Sequence, residues 1–159
     1  MILPLLLLAA QITPVQPIVK GTALPPPGSE EAGVMVPVNG LLAGIAARDG
    51  QAMAKYLRAD GNATVATEKP DSTRTITHIT AADLLARFTP GPEKYDERLT
   101  DPAIEIDGDI AMVWSPYTFA IDGKVHHCGV DHFSLVREAG SWKIANLSWS
   151  SRTTGCAAQ

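Results

Sequence analysis

Two histidines, a cysteine, an aspartate and a third histidine crowd one short stretch, His126-His127-Cys128-Gly129-Val130-Asp131-His132. These residue types can bind a metal, activate a thiol or move protons. A metal needs at least three of them to converge on one point. In an extended strand successive side chains alternate sides, so His126, Cys128 and His132 face one way and His127 and Asp131 the other. No three ligands meet without a bulge, and no metal is expected. A Cys128 nucleophile lacks an orienting third group and an oxyanion hole. What remains is an acid/base pair, Asp131 with His127, as the candidate catalytic set. Arg152 could hold Asp131 through a charge-assisted hydrogen bond, and a purely structural Asp131–Arg152 ion pair is the plainer reading.

These residues depend on a scaffold of strands. Asp122-Gly123 is the strongest hairpin signal in the chain, and Ala139-Gly140 marks the next turn. With Ile121 facing Lys124 and Arg137 facing Trp142, alternation sorts the strands into two faces. One face carries Trp114, His127, Asp131, Phe133, Ile144, Ser148 and Arg152, grading from apolar to polar. Such a lining suits a small, partly apolar molecule, with Trp114, Phe133, Ser148 and Arg152 as its contacts. The second face carries Val113, Tyr117, Leu147 and Trp149 and is suited to a homodimer contact. One β-bulge would exchange the two faces beyond it.

The same register places Cys128 opposite Ser151, leaving Cys156 roughly 16 Å farther along an ideal strand. A disulfide requires Cα atoms within about 7 Å, so a Cys128–Cys156 bond needs the tail to reverse at Thr154-Gly155. Bonded and free thiols both stay open.

Upstream, residues 1–10 are an apolar run ending in small residues, too short to span a membrane and suited to a signal-peptide core. Residues 11–28 hold five prolines among polar spacers and read as a disordered linker. The domain is expected over 29–156, and the protein is expected to be periplasmic or secreted. Ser29 is a helix N-cap followed by Glu30 and Glu31 in the first turn. Val34, Val38, Leu41, Leu42 and Ile45 recur at helical spacing, with Pro37 expected to kink the helix or delay its start. A second helix is expected over 51–57, strands over 62–67 and 74–80, and a short helix over 81–88 capped by Thr80. Residues 89–102, rich in proline, glycine and charge, read as an exposed loop. From residue 103 onward the chain reads as a β-meander.

Helices first, then two strands, a short helix and a meander make an α+β order. Gly108-Asp-Ile-Ala-Met-Val-Trp114, Gly129-Val-Asp131-His-Phe133-Ser-Leu-Val136 and Gly140-Ser-Trp142-Lys-Ile144 carry a family likeness. So does Gly40-Leu-Leu-Ala-Gly-Ile-Ala-Ala-Arg48-Asp-Gly50. These motifs resemble those of the NTF2-like superfamily, in its SnoaL-like and ketosteroid-isomerase-like members. The resemblance implies N-terminal helices packed on a strongly curved antiparallel sheet, forming a cone. It does not imply one activity, since the fold hosts isomerases, cyclases, dehydratases and non-catalytic binding domains. No residue matches a tyrosine-type oxyanion donor.

The net charge of −4, with lysines and arginines scattered singly, gives no surface for nucleic acid. No stable membrane insertion and no cofactor are indicated. The leading expectation is an exported domain that binds a small, partly apolar ligand. The alternatives are an isomerase- or dehydratase-type acid/base enzyme using Asp131 and His127, and a non-catalytic homodimeric interaction module.

Overall fold

A computed structural model describes residues 29–157. The expected leader and linker, residues 1–10 and 11–28, lie outside the described residues. Helix α1 (Glu30–Ala47) begins at Ser29, whose hydroxyl accepts from the Ala32 amide at 3.1 Å. It runs through Pro37 without a delayed start, burying Val34, Val38, Leu41 and Ile45 as one stripe. Arg48 ends it in the left-handed region (φ 54°), with its amide donating to the Gly44 and Ile45 carbonyls. Helix α2 (Gly50–Ala54) follows at once, capped by Asp49. It is shorter than the sequence suggests, because Leu57 already belongs to the first strand.

Among the described residues seven strands form one sheet: β1 (Leu57–Glu68), β2 (Arg74–Thr80), β3 (Tyr95–Leu99), β4 (Ala103–Asp107), β5 (Ile110–Ile121), β6 (Lys124–Glu138) and β7 (Ser141–Arg152). Helix α3 (Ala81–Leu85) sits between β2 and β3, with Thr80 as its N-cap. The sheet order is β2-β1-β7-β6-β5-β3, and β4 pairs with the other half of β5. The expected meander is present as β4 to β7. The sheet is not wholly antiparallel, however: β1 pairs with β7 in parallel, which makes it mixed. The α+β class and the packing of N-terminal helices on the sheet are as expected.

Residues 95–99, expected to be loop, form β3 against Tyr117–Ile121 of β5. The proline-rich approach to β3 is tied down from α1. Arg48 donates to the Thr89 carbonyl at 3.1 Å, pairs with Glu93, and lies over the Tyr95 ring at 4.5 Å. Lys94 and Asp122 then close the far side with two backbone-amide hydrogen bonds of 2.9 Å. Replacing Arg48 by methionine should therefore loosen β3 selectively. We expect a cost of about 1–3 kcal/mol and faster amide exchange at 95–99 than in β6. Unchanged exchange across β3 would refute this role.

The face assignment made from the turns does not hold, and bulges are the reason. His126 is an extra residue: Ala120 pairs with Val125, but Phe119 pairs with His127. Ala145 is another: Leu135 pairs with Ile144, but Ser134 pairs with Asn146. Each bulge flips alternation by one residue. The inner face therefore combines Val113, Tyr117 and Phe119 with His127, Asp131 and Phe133, and then with Leu147 and Trp149. Val113, Tyr117 and Leu147 are buried against the helices, so the face assigned to a dimer contact is core.

Candidate ligand site

Between the helices and the inner face lies a cavity of about 170 Å³. Its apolar wall comes from Leu41 and Ile45 of α1, Met53 of α2 and Leu84 of α3, with Phe119, Leu147 and Trp149 from the sheet. Phe88 and Arg87 border it just after α3, and the Arg87 side chain is exposed. The polar groups come from three strands: Glu97 of β3, Tyr117 of β5, and His127 and Asp131 of β6.

Asp131 is 3% exposed, and its Oδ2 receives no hydrogen bond from a donor. The polar group against it is the carboxyl of Glu97. Glu97 keeps some surface as a residue, but its carboxyl is enclosed in the crowded interior. Burial raises the Glu97 pKa from 4.5 to about 7, with a hydrogen bond to Asp131 working the other way. Burial also pushes Asp131 well above the carboxylate range, reinforced by the charge of Glu97 and by that hydrogen bond. Two carboxyls can hydrogen-bond each other only when one keeps a proton, so the pair titrates as a unit.

Tyr117 donates its hydroxyl to the Ser150 carbonyl at 3.0 Å. Burial, then the charges of Asp131 and Glu97, raise its pKa and keep it neutral. His127 is held neutral for a different reason: burial first, and the neighbouring His126 second, lower its pKa to about 4. Its ring lies 4.8 Å from that of Phe119, and its Nδ1 is 2.9 Å from Nδ1 of His126, so one of the two nitrogens donates. At neutral pH the cavity therefore holds a proton-bearing carboxyl pair, a neutral imidazole and an engaged phenol.

Of the residues singled out from the sequence, Asp131 and His127 line this cavity together. Phe133 is on the same face but deeper, 1% exposed within the core, and does not border the space. Trp114, Ser148 and Arg152 do not reach it. Trp114 is 45% exposed on the outer face, 5.8 Å from the His132 ring. Ser148 is 3.3 Å from the His132 Nδ1. Arg152 forms no ion pair with Asp131, because the bulge at Ala145 carries the end of β7 to the opposite side. Among the described residues no group of three or more metal-ligating side chains converges.

Cys128 and Cys156 are joined by a disulfide, with Cα atoms 5.6 Å apart. Cys128 lies opposite Arg152 rather than Ser151, and the tail turns back through Gly155 at φ 68°. The bond fastens the chain end to β6 one residue from His127.

Glu97, Tyr117, Leu147 and Trp149 are the site residues the sequence reading missed or put on the wrong face. Tyr95-x-Glu97-x-Leu99 is a period-two pattern that could have revealed β3, but three prolines and several charges around it argue for a loop.

Solved structures resemble this fold at low identity. An NTF2-like protein from Cytophaga hutchinsonii aligns with a TM-score of 0.60 at 15% identity, covering 77% of this chain and 98% of its own. An NTF2-like protein of unknown function from Shewanella baltica gives 0.56 at 16%, covering 77% and 93%. Another from Methylobacillus flagellatus gives 0.57 at 18%, covering 84% and 98%. These likenesses establish an NTF2-like fold. No curated protein matches the sequence. A family model described as "Putative lumazine-binding" matches residues 29–150, from the N-cap of α1 into β7, and the chain belongs to that family.

Proposed function

We propose that this protein binds a small, partly apolar ligand in its cone. The observation that carries the reading is the cavity itself: apolar walls from three helices and the sheet, with a few polar groups gathered from β3, β5 and β6. The family description, "Putative lumazine-binding", supports a small-molecule ligand. At about 170 Å³ the space suits a ligand of one or two rings, below the roughly 300 Å³ of drug-sized sites. Benzyl alcohol titrated into isotope-labelled protein should shift amide resonances around Leu84, Phe119 and Leu147 saturably. Leu147→Phe, which fills the space, should abolish the shifts while the protein stays folded. Shifts scattered over the surface, or retained in the filled variant, would count against the cavity as the site.

Acid/base catalysis is a second reading, favoured by one observation: Asp131 and His127 border the same cavity. Here the carboxyl pair would donate a proton and the neutral His127 would accept one. A minimal test is conversion of 3-cyclohexenone to its conjugated isomer, followed by absorbance. A rate no higher than that of Asp131→Asn would end this reading.

Export is proposed as well. Its support is the apolar run at residues 1–10 and the Cys128–Cys156 bond, which persists in oxidising compartments. Mass analysis of protein recovered from the periplasmic fraction should find a start after the apolar run. Recovery of the protein only from the cytoplasm, with Met1 intact, would refute it.

A further inference from the structure

We infer that Glu97 and Asp131 together form the recognition end of the cavity, and that they select a small planar ligand presenting a basic or hydrogen-donating nitrogen, such as an amidine or amino-substituted nitrogen heterocycle. The inference rests on the ligand-binding reading above and adds a substrate class to it. It starts from a buried acceptor with nothing to accept from. Asp131 is almost wholly enclosed, its Oδ2 has no hydrogen-bond partner, and the group beside it is a second carboxyl, that of Glu97. A buried polar atom is rarely left unpaired without a function for it.

The surrounding groups narrow the choice. Helices α1 and α2 face the pair with only Leu41, Ile45 and Met53, and α3 adds Leu84. Arg87 stands exposed at the border, and Arg152, opposite Cys128 and close enough for its charge to reach Tyr117, forms no ion pair with either carboxyl. Tyr117 spends its proton on the Ser150 carbonyl, and His127 is neutral. Among the described residues, then, no cation forms an ion pair with either carboxyl, and Asp131 Oδ2 has no hydrogen-bond partner. A ligand carboxylate would meet two acidic oxygens and be repelled. An amidinium offers two parallel N–H groups and a positive charge, the match for paired carboxyls in a low-dielectric space. On binding, its N–H groups replace the proton held by the pair, and that proton leaves to solvent.

The test compares three probes of similar size and shape by calorimetry at pH 6.5: benzamidine, benzyl alcohol and benzoate. Benzamidine should bind at least about tenfold more tightly than benzyl alcohol, as expected of charge-assisted hydrogen bonds, and benzoate more weakly than either. Repeating the benzamidine titration in buffers of different ionisation enthalpy should show proton release. Glu97→Gln should shrink the benzamidine preference about tenfold, and Asp131→Asn, tested as a second and independent variant, should do the same. Equal affinity for benzamidine and benzyl alcohol, or a preference that survives both variants, would overturn the inference and leave the cavity reading standing. Failure of all three probes to bind would overturn the ligand-binding reading itself.

Discussion

Replacing both Cys128 and Cys156 by alanine should lower stability by about 3–4 kcal/mol. The bond joins residues 28 apart, and closing a loop of that length removes roughly this much unfolded-chain entropy. The folded side of the balance points the same way. After β7 ends at Arg152, residues 153–157 have no strand pairing, so little besides the bond holds the tail to β6. Urea midpoints of the variant, of reduced wild type and of oxidised wild type would separate the cross-link from packing lost at Cys128. Reduced wild type should lie close to the variant. A difference below about 1 kcal/mol between oxidised and reduced protein would show that the tail contributes little to the unfolded-state entropy.

Glu97→Gln should stabilise the protein relative to wild type, and the gain should grow with pH. Glu97 titrates near 7 in the folded protein instead of 4.5. Between those values the native state keeps a proton that the unfolded chain has lost, so wild-type stability falls as pH rises through that window. Glutamine removes this loss. A shift of that size corresponds to about 3 kcal/mol, fully developed above pH 7 and absent below about pH 4. His127 works in the opposite sense: its folded pKa of about 4 makes stability rise from pH 4 towards its unfolded value of about 6.5. That contribution is common to both proteins and cancels in their difference. Asp131, raised chiefly by burial in both proteins, makes each profile fall with pH, so the informative quantity is the difference between them, which should widen from pH 4 to 7. Parallel profiles from pH 4 to 8.5 would mean that Glu97 is not buried against Asp131 in solution.

The two carboxyls differ in how legible they were. Asp131 stands in a recognisable strand motif, and its partnership in space with His127 follows from simple alternation within β6. Glu97 lies in a strand of five residues whose neighbours, Pro90, Gly91, Pro92 and Glu93, signal a loop. What makes β3 a strand is non-local: the edge of β5, and the hold of Arg48 on Thr89, Glu93 and Tyr95. Turn chemistry was readable, since Asp122 and Gly123 both take the positive φ a tight hairpin requires. The bulges at His126 and Ala145 were not, because neither residue carries a local preference for being skipped. They arise where a long strand must curve around the helices. Their effect reached the site: Trp149 came inward, and Trp114, Ser148 and Arg152 went outward. The parallel β1–β7 pair was equally hidden, because hairpin signals report only sequence neighbours.

That parallel pair has a consequence for how the chain reaches its native state. β1, near the start of the domain, finds its central neighbour only in β7, the last strand. Until Ser141–Arg152 has emerged from the ribosome, the β1–β2 hairpin and the strands from β3 to β6 remain two separate half-sheets with no seam between them. The molecule should therefore stay pliable and protease-sensitive through most of its synthesis and close late, in one step. A nascent chain arrested before Ser141 should be digested like an unfolded one, and a chain arrested well past Cys156 should resist. Protection appearing before β7 is available would show that the seam is dispensable.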